Sequence, residues 1–179
     1  MSITTKKGDD GTTGLLFGGR VPKDSPRPVA YGEVDEAQAT LGVVRAQADG
    51  ELAEIVLGIE RDLWVVMAEL ATGDENVGKL TDGQNRTTEA MVDALGATMD
   101  EISARFDPPT EFVVPGESAL AAALDVSRTV VRRAERAAVT ALRDQESWAV
   151  PYLNRLSDLL WTLARWQEGE SRTTRSVER

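Results

Sequence analysis

The chain has no cysteine and no histidine among its 179 residues. Without thiols it has no disulfide scaffold, no thiolate nucleophile and no cysteine-held iron–sulfur cluster. Without imidazole it has no histidine metal site and no histidine general base. Chemistry has to come from carboxylates, arginine, lysine, hydroxyls, main-chain groups or a cofactor. Aromatics are scarce at 5%. The apolar content lies largely in Leu, Val and Ala, which suits helix packed on helix rather than sheet on sheet. Bases are outnumbered, 20 against 30 acids, for a net charge of −10. A surface of that sign repels nucleic acid and acidic membranes, so neither is an expected partner, while one local basic pocket for a small anion stays compatible with it. No apolar run reaches the length of a membrane span, and the start MSITTKKGDDG holds no signal-peptide core, which predicts a cytoplasmic protein. The length suits one domain with a sizeable core.

What is present is mostly helical periodicity. Residues 1–28 are the exception: Gly8, Gly11, Gly14, Gly18 and Gly19 precede Pro22, Pro26 and Pro28, a composition for a shaped loop rather than a packed element. Within it Leu15, Leu16 and Phe17 read as a short strand or an anchor. Apolar steps of three and four then predict helices over about 29–48, 51–71, 87–104, 118–142 and 150–167, with a glycine-bearing loop at 72–85 and a short extended segment at 112–114. Leu120, Leu124, Val131 and Val139 mark the apolar positions of the fourth helix. The last residues, 169–179, lack apolar periodicity and are expected to fray. Short connections between long helices imply an all-α, five-helix antiparallel bundle over 29–168 with the 1–28 loop belonging to the same domain.

Four segments carry candidate chemistry. In RTVVRRAER, Arg128, Arg132, Glu135 and Arg136 share one helical face, while Arg133 points about 100° aside. Like charges on one face repel unless solvent, acids of another helix or an anionic ligand such as a triphosphate opposes them, and spacing leaves these open. In NRLSD, Asn154 and Asp158 stand one turn apart inside a very apolar helix, as helix-surface polarity or as groups bonding across an interface or to a ligand. Helix one offers Glu33, Asp35 and Glu36; Asp35 either answers an arginine of helix four or, with the others, complements the helix dipole. The leader TKKGDDGTT combines glycine turns, hydroxyls and lysines, suited to an anion-binding nest or to a flexible polar tail; it lacks the GK[ST] of a Walker A loop.

Taken together, these segments resemble the PduO-type ATP:cob(I)alamin adenosyltransferases. The likeness runs through TKKGDDGTT (5–13), LFGG (16–19), KDSPR (23–27), AYGEVDE (30–36), FVVPG (112–116), RTVVRRAER (128–136) and YLNRLSDLL (152–160), and spans 3 to about 168. The resemblance implies a homotrimer of five-helix bundles with active sites at subunit interfaces. It implies transfer of the 5'-deoxyadenosyl group of ATP to cob(I)alamin, with Mg2+, giving adenosylcobalamin and triphosphate. It also implies a reductase that supplies the electron to cob(II)alamin and a cobalamin-dependent mutase that receives the product. Carried over, ATP falls to Thr5, Lys6, Gly8, Asp9, Gly11, Thr12, Thr13 and Lys23, with Arg132, Glu135 and Arg136 on the ATP and magnesium side and Asn154 between nucleotide and corrin. Magnesium ligands are not assigned. Asp35 and Arg128 resemble an intersubunit ion pair that shapes the corrin pocket, and Phe112 the aromatic that closes over the lower corrin face. Lys7, where the family usually has a small hydroxyl residue, is a departure.

Overall fold

A computed structural model describes residue 4 and residues 6–175. Five α-helices dominate it: α1 (Pro26–Arg45), α2 (Gly50–Leu70), α3 (Glu89–Ser103), α4 (Ala119–Ala141) and α5 (Ala149–Glu168). The expected ends shift by a few residues for identifiable reasons. Helix α1 begins with its prolines: Pro26 and Pro28 occupy the first turn, where an N–H has no intrahelical partner to lose. The leader therefore ends at residue 25, three short of the expected boundary. Helices α3 and α4 start behind Thr88 and Ser118, whose hydroxyls accept the N–H of Met91 (3.4 Å) and Ala121 (3.1 Å). The 72–85 loop contains a 3-10 helix, Asp74–Lys79.

Cross-helix bonds fix the directions. Arg45 meets Glu60 (2.7 Å) and Arg27 donates to the Leu70 carbonyl (3.1 Å), so α1 and α2 are antiparallel. Tyr152 donates to Asp62 (3.0 Å) and Ser147 to Glu69 (2.6 Å), which sets α5 against α2 in the same sense. Asn154 with Glu135 and Arg165 with Asp125 do so for α5 and α4. Helix α5 is the central element, with Leu153, Leu156, Leu159, Leu160 and Leu163 wholly buried. At roughly 1.5–3 kcal/mol each these side chains supply a large share of the core. On α4 the core positions fall to Ala121, Leu124, Val131, Ala134 and Ala138, and Val139 is exposed rather than inward. Alanines let α4 approach α1 and α5 closely.

The leader is folded. β1 (Thr12–Gly14) and β2 (Arg20–Pro22) form an antiparallel hairpin. The anchor reading of 15–17 holds: Leu16 N–H donates to the Ala71 carbonyl (2.8 Å) at the C-terminal end of α2. At the opposite end of the bundle, the expectation of a fraying tail fails for residues 172–174. Val114 N–H donates to Arg172 O (2.7 Å) and Thr174 N–H to Phe112 O (2.8 Å), because the extended 112–114 segment offers a free strand edge. Among the described residues, no helix is long and apolar enough to cross a membrane.

Candidate functional site

The hairpin is held open toward solvent by polar bonds of its own. The Asp10 carboxylate accepts the Thr12 N–H (2.9 Å) and hydroxyl (2.8 Å). Those two bonds, the main-chain one first, hold its carboxyl below the usual range. Arg20 donates to Thr12 Oγ1 (2.6 Å) and to the Lys7 carbonyl (2.6 Å), tying β2 back to the 6–11 turns. Lys23 N–H donates to Gly11 O (2.9 Å), and Gly11 sits at φ +81°, which favours glycine. Gly8 is favoured by close approach instead: a Cβ there would lie 3.1 Å from Lys23 Cε and Nζ and 3.2 Å from Thr12 O. The Lys23 ammonium is thus laid over the Gly8 main chain. Lys6, Gly8, Asp9, Gly11, Thr12, Thr13 and Lys23 share this one hairpin; Thr5 lies outside the described residues. The arrangement presents a lysine, hydroxyls and turn N–H groups together, chemistry that receives a phosphate chain.

On α4 the arginines divide. Arg133 is spent on α1, where Nε donates to Glu33 (2.5 Å) and Nη2 pairs with Glu36. Those two carboxylates raise its pKa further. Arg128 Nε donates to Asp125 Oδ1 (3.2 Å). Arg136 donates to the Arg132 carbonyl (3.0 Å), one turn back, and has no carboxylate partner among the described residues. The exposed Arg132 side chain likewise meets no acid there. Glu135 Oε1 accepts from Asn154 Nδ2 (3.0 Å), so two residues predicted from different helices are joined. Asp35 is exposed and meets no arginine of its own chain among the described residues.

At the N-terminal end of α4 a cavity of about 610 Å3 opens between Phe112, Val113, Trp161, Asp125, Arg128 and Arg165. Phe112 is 87% exposed at its rim. The floor is a buried ion network. Arg165 Nη2 donates to Asp125 Oδ2 (2.6 Å) and Glu168 Oε2 (3.0 Å). Its Nε lies 2.7 Å from Glu168 Oε1, an ion contact too bent to count as a hydrogen bond. The Trp161 ring stands 5.7 Å from the guanidinium. Asp125 is shared, one oxygen to Arg165 and one to Arg128. Sequence reading missed Asp125, Trp161 and Arg165. The available signal was a lone arginine in the apolar run WTLARW, which needs a buried acid. Asp10 and Arg20 were missed as the braces of the hairpin.

Phe112 and Arg128 therefore meet at one cavity, and Glu135 and Asn154 meet in the half of the bundle nearer the hairpin. The hairpin, seated on the C-terminal end of α2, lies at the other end from that cavity, because α5 runs antiparallel to both α2 and α4. A helix the length of α4, Ala119–Ala141, covers about 35 Å.

The profile of the cobalamin adenosyltransferase family matches residues 3–167. A corrinoid adenosyltransferase of Citrobacter freundii is 39% identical over 93% of this chain and 94% of its own length. One of Mycobacterium tuberculosis is 39% identical over 96% of this chain and 95% of its own. Among solved structures, a variant PduO-type ATP:corrinoid adenosyltransferase from Lactobacillus reuteri, complexed with cobalamin and ATP, superposes with a TM-score of 0.89 at 28% identity, covering 97% of this chain and 99% of that one. The chain belongs to the cobalamin adenosyltransferase family and is an enzyme of the ATP:cob(I)alamin adenosyltransferase class.

Proposed function

We propose that the protein binds ATP and cob(I)alamin and transfers the 5'-deoxyadenosyl group between them, at a site that two copies of the chain complete within a homotrimer. The carrying observation is Arg132, an exposed guanidinium without an acidic partner among the described residues, next to the Glu135–Asn154 pair, in a chain of net charge −10. A free arginine in so acidic a protein suits a polyphosphate.

Lys6, Gly8, Asp9, Gly11, Thr12, Thr13 and Lys23 grip the phosphates, and Arg132, Arg136 and Glu135 with Asn154 hold the other side of the nucleotide. The cobalt electron pair attacks C5', a Co–C bond forms, the C5'–O bond breaks and triphosphate leaves with the bonding pair. Cobalt ends two electrons more oxidised. Arg132 stabilises the charge that collects on the leaving oxygen. Because the nucleophile is the substrate's cobalt, neither cysteine nor histidine is needed. Magnesium fits this donor set in one way. Among the described residues no group of three or more carboxylates is gathered for a metal; Glu135, on the nucleotide side, would help hold an ion carried on the triphosphate. When bound it neutralises phosphate charge.

The corrinoid falls to the cavity of Phe112 and Trp161, with Phe112 over the lower face, where it excludes water and a lower ligand. Asp35 pairs with Arg128 of another copy. Two features support an interface site: Asp35 meets no arginine of its own chain among the described residues, and hairpin and cavity lie at opposite ends of one bundle. A cytoplasmic reductase delivers the electron to cob(II)alamin, and a cobalamin-dependent mutase takes the product.

Anaerobic incubation with ATP, Mg2+ and chemically reduced cobalamin should yield the light-sensitive adenosyl product; its absence under those conditions defeats the proposal. Phe112→Ala should largely abolish the four-coordinate cob(II)alamin spectrum seen with ATP, and an undiminished spectrum removes Phe112 from its role.

A further inference from the structure

Residues 106–117 join α3 to α4 and carry Phe112, Pro115 and Gly116. Among the described residues, the main chain of this stretch has only two hydrogen bonds to anything outside itself: Val114 N–H to Arg172 O (2.7 Å) and Thr174 N–H to Phe112 O (2.8 Å). Both go to the tail beyond α5. Two ion pairs bracket them, Arg172 with Glu117 (2.9 Å) and Arg175 with Glu111 (3.5 Å). The tail is itself tethered, since Ser171 Oγ donates to Glu168 Oε1 (2.5 Å). Glu168 is in turn held by the buried Arg165 under the cavity. One physical path thus runs from the cavity floor, through the tail, to the carbonyl of Phe112.

We infer that residues 171–175 are a positioning clip, an added strand that sets the Phe112 segment over the cavity and so governs how tightly the corrinoid is held. The inference rests on the corrinoid reading of that cavity. The mechanism is β-strand addition within one chain: main-chain bonds give the hold and the flanking ion pairs give the register. Without the tail the 106–117 stretch keeps its two helix ends but loses every main-chain bond that fixes Phe112. The cost of ordering it then has to be met when the corrinoid binds. The clip contacts the corrinoid side alone. The clip acts on Phe112, which the proposed site assigns to the corrinoid and not to ATP, so the KM for ATP should not register the loss.

The test compares the full chain, a chain ended after Glu170, and Thr174→Pro, which removes the donor to Phe112 O from an exposed residue. Deuterium exchange without any ligand reads the clip directly. In both variants the Val114 amide, the one N–H of 110–116 that bonds the tail among the described residues, should exchange at least about tenfold faster, while α4 and α5 stay protected. Unchanged exchange at Val114 overturns the inference, whatever the protein binds. With ATP saturating, the KM for reduced cobalamin should rise about tenfold, with the KM for ATP unaltered. In the Phe112→Ala background, truncation should add little further, because the clip acts through Phe112. Equal effects on both substrates, or full additivity with Phe112→Ala, overturn it too. Faster exchange in a protein whose full chain makes no adenosylcobalamin would leave the clip standing and sink the corrinoid reading instead.

Discussion

The two halves of α4 treat charge in opposite ways. Near its N-terminus Asp125 is 5% exposed and bonds to both Arg128 and the almost wholly buried Arg165. In its C-terminal half, Arg132 and Arg136 stand in solvent without an acid among the described residues. Arginines of the same helix, Arg128 and Arg132, fall on the two sides of this divide. What differs is the cost of leaving a charge unpaired, several kcal/mol for a buried ion and little for an exposed one. Charges at the buried end have to satisfy one another and so define the shape of the cavity wall. Charges in the C-terminal half are affordable while empty, and therefore available to a ligand.

The largest effect should come from breaking the buried half. Asp125→Ala leaves the Arg165 guanidinium with Glu168 alone and frees Arg128, and should cost about 3–5 kcal/mol in urea unfolding. A loss below ~1 kcal/mol would mean that the network is not what holds this end. Arg132→Ala comes next and should be read in the other direction. Adenosylation should fall about 10²- to 10³-fold, as for loss of one group that faces developing charge, with stability within ~0.5 kcal/mol of the parent. A variant that loses stability as well would erase the distinction between the halves. Asn154→Ala sharpens the boundary between them. It frees the Glu135 carboxylate from its only side-chain bond among the described residues and should weaken ATP about three- to tenfold in equilibrium binding, without touching the cavity.

How far the sequence carried follows from the same cost argument. Helical periodicity located all five helices to within a few residues, since burying an apolar stripe is a local pattern. The α1 start was misplaced because proline was read as a breaker when it stood in the one turn that tolerates it. Arg132, Glu135 and Asn154 were legible as polar residues at helical spacing. Arg165 was not, because its meaning lies in Asp125, 40 positions away, and in an approach of helices that one-dimensional spacing does not encode. The tail was misjudged for a related reason. Its hold is main-chain pairing with 112–114, to which side-chain hydrophobicity is blind.

The smallest effect isolates that lesson in two adjacent residues. Arg133 follows Arg132 in the chain, but the turn of the helix carries it about 100° round, onto Glu33 and Glu36 of α1. Solvent reaches its side chain, 43% exposed, so the pairs are screened. Arg133→Ala should lower Tm by no more than about 2 °C, less at high salt, and leave adenosylation and ATP affinity at parental values. If it instead abolished turnover as Arg132→Ala does, the face of the helix would not be what separates the two arginines, and the α1–α4 pairing would have to be counted part of the nucleotide site.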